Sequence, residues 1–428
     1  MPNEQLLGRE NILLPYEASV GELVQGTGAG CRFLELVGQR GVGKTALING
    51  MGEVARERGA LFSLVDMADR QISPSVLLEA ILKDLQPDGE QWRGFDRPAD
   101  LFNDKYQDFD LPLEYCRLGE RERTKEEFHP DWLTDWIKVE AGFFDVVSQL
   151  QMPLVVALDN LTSATEKMAN FVEDRLMKPL LKDLKKMVVV SNLASRKWIG
   201  PFKWDRNVYR IETLNEGLAK KLIDRSREHV PSAVRNEILT VTNANPLAIE
   251  MAISAYFRDH VQWRSYLYTS FFEGRYLGDL AETTKDRDLA ADLFRVGSLV
   301  HAIDTGIGMK LLPAYDREKY KDVARVDVNR AILDLRKSLL LVEWDGESDA
   351  WVVDPTAAKI AEAYYEQYDR EKFNQVSLAM AKVSDNFAII EYTEAEGSEP
   401  GLWRDLKERK AAKNREWAKY YRERVVTN

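Results

Sequence analysis

The chain has 428 residues, of which 45% are hydrophobic and 30% are charged, a composition typical of globular proteins with substantial cores. This length corresponds to two to four compact domains. The 59 basic and 70 acidic residues give a net charge of -11, which argues against a protein whose main task is to coat phosphate backbones, although a local basic patch remains compatible with it.

Cysteine and histidine usage gives no sign of a disulfide framework or a metal centre. The two cysteines, Cys31 and Cys116, favour a reducing compartment, and the four widely separated histidines show no metal-ligand spacing with them. The N-terminal residues lack the basic and apolar regions of a signal peptide, and no run of about 18 apolar residues predicts a membrane span. We therefore expect a cytoplasmic protein without membrane partners.

Strand and helix patterns alternate through the first half of the chain. The predicted strands are 33–37, 60–66, 152–160, 187–192 and 208–212. The predicted helices are 46–59, 73–85, 132–150 and 161–186. Such alternation predicts an α/β domain with a parallel sheet covered by helices on both faces.

Residues 87–133 interrupt this alternation. The segment holds 13 acidic and 7 basic residues together with several aromatics. A structureless loop of this length is unusual inside a compact domain, so we expect an inserted subdomain or a mobile flap.

The second half of the chain changes to helical periodicity. Helices are predicted at 232–242 and 246–260, preceded by leucines spaced by four from Leu214. Residues 327–368 then follow the order helix, strand, Asp-Gly turn, strand, helix, which is typical of a winged-helix module. We accordingly divide the chain into four parts: a nucleotide-binding domain at 1–212, a helical lid at 213–285, a winged helix at 286–385 and a basic helical tail at 386–428.

The most specific motif is the P-loop Gly-Gln-Arg-Gly-Val-Gly-Lys-Thr at 38–45, between a predicted strand and a predicted helix. Its backbone N–H groups and the helix N-terminus are suited to phosphate oxygens, Lys44 to the β- and γ-phosphates, and the Thr45 hydroxyl to Mg²⁺. An ordinary glycine-rich turn is the alternative. The residues expected to hold ATP or ADP here are Gly38, Gly41, Val42, Gly43, Lys44, Thr45 and Ala46.

An acidic residue at the tip of a neighbouring strand must help to hold the metal. Asp159 ends the apolar segment 152–159 and is our candidate, the alternative role being that of a helix N-cap. Asn160 occupies the place where many hydrolases have a second acid. Because an amide can position water but cannot accept its proton, the sequence predicts slow hydrolysis and a higher rate in Asn160→Asp.

Beyond the P-loop, several segments resemble the STAND class of AAA+-related P-loop ATPases, which includes NB-ARC and NACHT proteins. They are Leu7-Gly8-Arg9-Glu10, the sensor-like strand 188–198, the lid-opening helix 211–223 and Thr-Asn-Ala-Asn-Pro-Leu-Ala at 242–248. The resemblance implies that Arg9 and Pro246 contact the adenine. It covers about residues 7–385.

The sequence departs from that family at three positions. Leu193 replaces the sensor arginine, so Asn192 or Arg196 is expected to reach the γ-phosphate, with a solvated loop position as the alternative for Arg196. Val352-Val353-Asp354 lacks the histidine that touches the ADP phosphate in many relatives. Asn243 replaces a frequent glycine, and asparagine tolerates a positive φ.

The tail at 402–426 contains nine bases, four acids and interleaved aromatic residues. It is suited either to nucleic acid or a partner, or to docking as an amphipathic helix on the acidic body. The winged helix could also read DNA. We do not favour nucleic acid as the main partner, because the helix expected to enter the groove has few bases.

The resemblance implies an ATP/ADP-operated switch with weak ATPase activity that opens and oligomerises with itself in signalling or defence. Two rivals are a DNA-associated AAA+ ATPase similar to origin-recognition loaders and a non-hydrolysing scaffold. Because the motifs account for nearly the whole length, we expect a partner protein to supply a sensor or effector.

Overall fold

A computed structural model describes residues 7–27, 30–68, 72–85, 132–149, 152–193, 198, 206–226, 229–278, 280, 284, 286–338, 340–345 and 349–425. The chain divides into two compact units, Met1–Glu212 and Thr213–Asn428. The insertion expected at 87–133 and the candidate Arg196 lie outside the described residues, apart from the start of one helix at Trp132. The boundary between the units coincides with the end that we assigned to the nucleotide-binding domain, and the finer division remains a prediction.

Unit 1 is an α/β domain with a five-stranded parallel sheet. In chain order its main elements are α1 (Glu10–Gln25), β1 (Phe33–Val37), α2 (Lys44–Glu57), β2 (Leu61–Asp66), α3 (Pro74–Asp84), α4 (Trp132–Gln149), β3 (Leu154–Asp159), α5 (Glu166–Phe171), β4 (Lys186–Asn192) and β5 (Asn207–Arg210). The strand order is β2-β3-β4-β1-β5, and all pairs are parallel. The predicted fold class is confirmed.

Each face of the sheet has its own hydrophobic core. One core joins α1 and α2 to alternate residues of β1, β3 and β4, and the other joins α3, α4 and α5 to the remaining ones. Residues of a strand alternate between faces, so polar residues that follow one another at a strand end point to opposite sides. This alternation decides which strand-end side chains lie beside α2.

The prediction of a single helix over residues 161–186 is wrong. The structure has a 3₁₀ turn at Leu161–Ser163, then α5, a π-helical stretch at Val172–Met177 and a last turn at Lys178–Leu180. The Thr165 hydroxyl accepts a hydrogen bond of 3.2 Å from the backbone N–H of Met168, so it caps a new helix where the periodicity suggested continuity.

Unit 2 is mainly helical. Its elements are α6 (Glu216–Asp224), α7 (Ser232–Thr242), α8 (Pro246–Arg258), α9 (Trp263–Leu267), a π-helical stretch (Tyr268–Leu277), α10 (Arg287–Val300), β6 (Ala302–Ile303), α11 (Thr305–Tyr315), α12 (Arg317–Tyr320), α13 (Arg325–Lys337), β7 (Leu341–Asp345), β8 (Ala350–Val353), α14 (Pro355–Tyr368), α15 (Arg370–Glu396) and α16 (Leu402–Arg424). One hydrophobic core runs from Leu214 to Tyr421 through these elements. The segments that we assigned to the lid and to the winged helix therefore share one core within this unit.

The winged-helix order is present in unit 2. The chain runs from α10 through β6, α11, α12 and α13 to β7, β8 and α14, and its three strands form an antiparallel sheet of order β6-β8-β7. Asp354 is buried and caps α14, because its Oδ1 accepts the N–H groups of Thr356 and Ala357 at 2.9 and 3.2 Å. Of the predicted Asp-Gly turn, Asp345 ends β7 and residues 346–348 lie outside the description.

The basic tail forms α16, which packs antiparallel against α15 and back onto the winged helix. Its Ala411, Ala418 and Tyr421 are buried, while Trp403 stays 60% exposed. Lys410 Nζ lies 2.6 Å from Asp349 Oδ2 at the end of the wing. These contacts support the docking interpretation of the tail over its use as a free basic arm.

None of the helices within the described segments is both long and apolar enough to cross a membrane.

Candidate nucleotide-binding site

The P-loop connects β1 to α2 through two left-handed glycines. Gly41 has φ 75° and Gly43 has φ 96°, conformations that residues with a side chain rarely adopt. The Val42 side chain is buried in the core, so this residue can meet a ligand only through its backbone. The first N–H groups of α2 have no partners within the helix, and Gly43 offers no side chain to cap them. This helix end is suited to an anion.

Lys44 is held at the loop that it is expected to serve. Its side chain is buried, and its ammonium donates to the carbonyl oxygens of Gly38 and Gln39 at 2.7 and 2.9 Å. Thr45 and Ala46, which follow it in the first turn of α2, are exposed. The positive charge, the N–H groups and a hydroxyl are thus concentrated at the carboxyl edge of the sheet.

Asp159 ends β3 beside this helix turn and is only 2% exposed. Its Oδ2 accepts a hydrogen bond of 2.6 Å from the Thr45 hydroxyl. Its Oδ1 accepts the backbone N–H of Asn160 at 3.0 Å and the hydroxyl of Ser191. The sequence placed Thr45 and Asp159, 114 residues apart, in one metal site, and the structure brings them together.

The oxygen donors at this position fit Mg²⁺. A hydroxyl and a carboxylate are hard ligands, and Mg²⁺ in nucleotide sites usually takes one or two protein oxygens, the rest coming from phosphates and water. Within the described segments no group of three or more His, Cys, Asp or Glu side chains could hold a metal alone. A metal held jointly with nucleotide is therefore the arrangement that these residues suit.

Asn160 follows Asp159 in the left-handed conformation, with φ 56°. Its side-chain amide donates a hydrogen bond of 2.9 Å to the Asp66 Oδ1 at the end of β2. Asp66 and Asp159 are paired across the adjacent strands β2 and β3, and Asn160 donates to both, through its side-chain amide to Asp66 and through its backbone N–H to Asp159.

Asn192 does not join this cluster, contrary to the expectation that it reaches the γ-phosphate. Its amide donates to Glu35 Oε1 at 2.9 Å, and Glu35 also forms an ion pair of 3.0 Å with Arg206. Glu35 and Asn192 lie on the α3–α5 side of the sheet, whereas Ser191, one residue earlier, lies on the α2 side and reaches Asp159.

Arg9 connects the start of α1 to the P-loop. Its guanidinium donates to the carbonyl oxygens of Val42 and Glu212 at 2.9 and 2.8 Å. Burial lowers the pKa of Arg9, partly offset by the charges of Glu10 and Glu212, and the group remains a cation at neutral pH.

Pro246 and Asn243 lie in unit 2. Pro246 is the first residue of α8, where a proline fits the helix start, and Asn243 has φ 50°, the left-handed conformation that its residue type tolerates. The adenine contacts implied for Arg9 and Pro246 stay predictions.

Two residues of the site, Ser191 and Asp66, were not predicted from the sequence. Both stand at the carboxyl end of a strand, as Asp159 does. Ser191 could have been identified from the alternation of residues in β4. Asp66 could have been identified as the acid that ends the strand predicted at 60–66.

We expect Gly38→Ala to destabilise unit 1 by about 1–3 kcal/mol, the usual cost of overpacking. A Cβ at this position would lie 2.4 Å from the carbonyl oxygen of Ile211 at the end of β5, so the P-loop or β5 would have to move. Gly21→Ala is the matched control, because a Cβ there meets nothing within 4 Å inside α1, and alanine should stabilise that helix slightly. Thermal unfolding of both variants checks the prediction, which equal melting temperatures would contradict.

Comparisons with known proteins identify the fold. Neither a protein-family model nor a curated protein matches the sequence. Among solved structures, the Walker-type ATPase PABY2304 of Pyrococcus abyssi matches with a TM-score of 0.53 and 13% identity, over 84% of this chain and 97% of that one. Cdc6p from Pyrobaculum aerophilum matches over 88% of this chain and 96% of that one with 14% identity. Its TM-score of 0.38 is too low to indicate a shared fold.

The chain therefore has the fold of a Walker-type P-loop ATPase, with helical domains after the sheet domain. This likeness agrees with the P-loop ATPase part of the resemblance described above. It gives no support to the NB-ARC and NACHT subclass or to a role in defence.

Proposed function

We propose that this protein binds Mg²⁺–ATP at the P-loop and hydrolyses it to ADP and phosphate. The observation that carries the proposal is the hydrogen bond of 2.6 Å between Thr45 Oγ1 and Asp159 Oδ2, next to the Lys44 ammonium. These are the groups that a P-loop ATPase needs to hold phosphate and metal. The metal, when bound, would neutralise charge that develops on the phosphates, and Thr45 and Asp159 would hold it.

The test is nucleotide binding followed by turnover. Titration with a fluorescent ATP analogue should show saturable binding that depends on Mg²⁺, and phosphate release should follow with ATP. Binding without phosphate release would favour the scaffold interpretation, and absence of binding at millimolar nucleotide would contradict the proposal.

A second candidate function is association with duplex DNA through the winged helix. The observation that favours it is the solvent face of α13, where an asparagine and four bases are exposed in successive turns. These residues are Arg325, Asn329, Arg330, Arg336 and Lys337. The two acids of α13 form ion pairs with two of these bases, Asp327 with Arg330 at 3.5 Å and Asp334 with Lys337 at 3.8 Å. The helix thus has four bases against two acids, although the whole chain is acidic. A helix in this position of a helix-turn-helix enters the major groove.

The wing adds aromatic surface beside this helix. The Arg336 guanidinium lies 4.0 Å from the ring centre of Trp351 on β8, and Trp344 on β7 is 48% exposed. The guanidinium group of arginine both stacks on aromatic rings and binds phosphate in nucleic-acid recognition. These features make DNA association a better supported partner proposal than it was from the sequence alone.

We expect the charge reversal Arg330→Glu/Lys337→Glu to weaken duplex binding at low salt by at least tenfold. Each lost phosphate contact should also reduce the slope of log affinity against log salt by about 0.9. Fluorescence anisotropy with a labelled duplex, measured over a series of salt concentrations, provides both values. Lys310→Glu/Lys382→Glu is the control, because it changes the net charge equally at exposed positions outside α13. An equal loss of duplex affinity in both variants would contradict the assignment of α13 as the DNA-binding surface.

The signalling switch implied by the STAND resemblance remains a rival use of the same ATPase core. It requires ATP to bind one conformation or assembly more tightly than the other. Light scattering after size-exclusion chromatography, in ADP and in a non-hydrolysable ATP analogue, distinguishes the two uses. A change in mass with nucleotide and no duplex binding would favour the switch with its self-association.

A further inference from the structure

Two carboxylates end neighbouring strands at the site, and their surroundings differ. Asp159 is buried, and both of its oxygens accept hydrogen bonds, from Thr45 on one side and from Ser191 and the Asn160 N–H on the other. Asp66, its partner across β2 and β3, is exposed to solvent. When two acids have environments this different, they are suited to different tasks.

The Asp66 carboxylate is oriented but not saturated. Its Oδ1 accepts the N–H of Ala68 at 3.0 Å and the side-chain amide of Asn160 at 2.9 Å. Within the described part of the chain, no hydrogen bond to its Oδ2 is found. One carboxylate oxygen is thus fixed by the turn and by Asn160, while the other retains the capacity to accept a proton.

We propose that Asp66 is the general base for ATP hydrolysis and that Asn160 positions it. This inference rests on the proposed function. As a water oxygen bonds to the γ-phosphorus, the bond between that phosphorus and the bridging oxygen of ADP breaks, and one water proton passes to Asp66. The products are ADP and phosphate, and Asp66 then returns its proton to solvent.

Asp159 is poorly suited to this role in spite of its central place. Thr45, Ser191 and Asn160 occupy its oxygens, and its expected task is to hold the metal. The sequence alone indicated slow hydrolysis because Asn160 cannot take a proton. The structure supplies a carboxylate 2.9 Å from that amide, on the next strand.

The two interpretations predict opposite effects of Asn160→Asp. If the site has no base, the new carboxylate should raise the hydrolysis rate. If Asp66 is the base, the substitution places two like charges about 3 Å apart, loses the orienting hydrogen bond and lowers the rate. The proposed role of Asp66 therefore predicts the opposite of the result expected from the sequence.

The decisive experiment combines Asp66→Asn with an exchange of the two side chains. Asparagine keeps an oxygen that can accept both hydrogen bonds of Asp66, so we expect Asp66→Asn to fold and to bind the fluorescent ATP analogue within threefold of wild type. Its kcat should fall by about 100-fold or more, since general bases contribute factors of about 10²–10⁴.

The exchange variant Asp66→Asn/Asn160→Asp restores one amide and one carboxylate. Its kcat should be at least tenfold higher than that of Asp66→Asn. Asp174→Asn, at an exposed acid elsewhere in unit 1, is the control and should match wild type.

The measured kcat values decide whether Asp66 is the general base. A kcat of Asp66→Asn within threefold of wild type, or a higher kcat in Asn160→Asp, would overturn the role of Asp66 and leave the ATPase proposal intact. A wild-type protein that binds nucleotide but releases no phosphate would overturn both.

Discussion

Lys44→Ala should bind ATP at least about 100-fold more weakly than wild type. A hydrogen bond from a charged donor to a phosphate contributes about 1.5–3 kcal/mol, and each 1.4 kcal/mol corresponds to a factor of ten in affinity. Lys44 is expected to make such bonds to both the β- and γ-phosphates. Isothermal titration with ATP and Mg²⁺ measures the change.

Folding of this variant needs a separate check, because the Lys44 ammonium also satisfies the carbonyl oxygens of Gly38 and Gln39. Thermal unfolding without nucleotide shows whether the loss is local to the ligand. Lys182→Ala removes an exposed lysine from the same unit and should leave affinity unchanged. If Lys44→Ala were folded and bound ATP as wild type does, the assignment of the site would be refuted.

The second large effect concerns the contact that ties α16 to the winged helix. Glu362 on α14 lies 2.7 Å from His301 Nε2, 2.7 Å from the Arg424 guanidinium and 3.0 Å from Lys359 Nζ. Arg424 also donates to the carbonyl oxygen of Leu299 at 2.9 Å. Burial by itself would raise the pKa of Glu362, but the hydrogen bond and charge of His301 and the charges of Arg424 and Lys359 lower it to about 2.

The lowered pKa sets the direction of the pH dependence. Because the folded protein holds the Glu362 proton less tightly than the unfolded chain, the stabilisation is complete above the ordinary carboxyl pKa of 4.5 and is lost as the pH falls towards 2. A shift of this size corresponds to about 3 kcal/mol in the free energy of unfolding near neutral pH.

We therefore expect Glu362→Gln to lower the free energy of unfolding of unit 2 by about 3 kcal/mol at pH 6. At pH 3 the loss should be smaller, about 1 kcal/mol. Urea unfolding at the two pH values, compared between variant and wild type, isolates this group from the other carboxyls. Glu366→Gln is the matched control on the same helix, since its pair with Arg370 is exposed and should contribute less than about 1 kcal/mol. A difference between Glu362→Gln and wild type that did not change with pH would contradict the assigned ionisation.

Much of the fold followed from local patterns. The strand before the P-loop, the helix after it and the acid at the end of the third strand were all identified from runs of a few residues, and β1, α2 and β3 lie where they were expected. The winged helix followed for the same reason, because each of its elements has a clear period. The long helix predicted at 161–186 failed where the cap at Thr165 interrupts a continuous apolar pattern.

What the sequence by itself determined is the P-loop chemistry, since glycines, Lys44 and Thr45 lie together in one short segment. The tertiary structure alone decided which distant side chains join them. Side chains alternate between the faces of a sheet, and β4 lies between β3 and β1, so Ser191 reaches Asp159 on β3 and Asn192 reaches Glu35 on β1. The pairing of β2 with β3 brings Asp66 to Asn160, across 94 residues of chain, and no local pattern encodes such a neighbour.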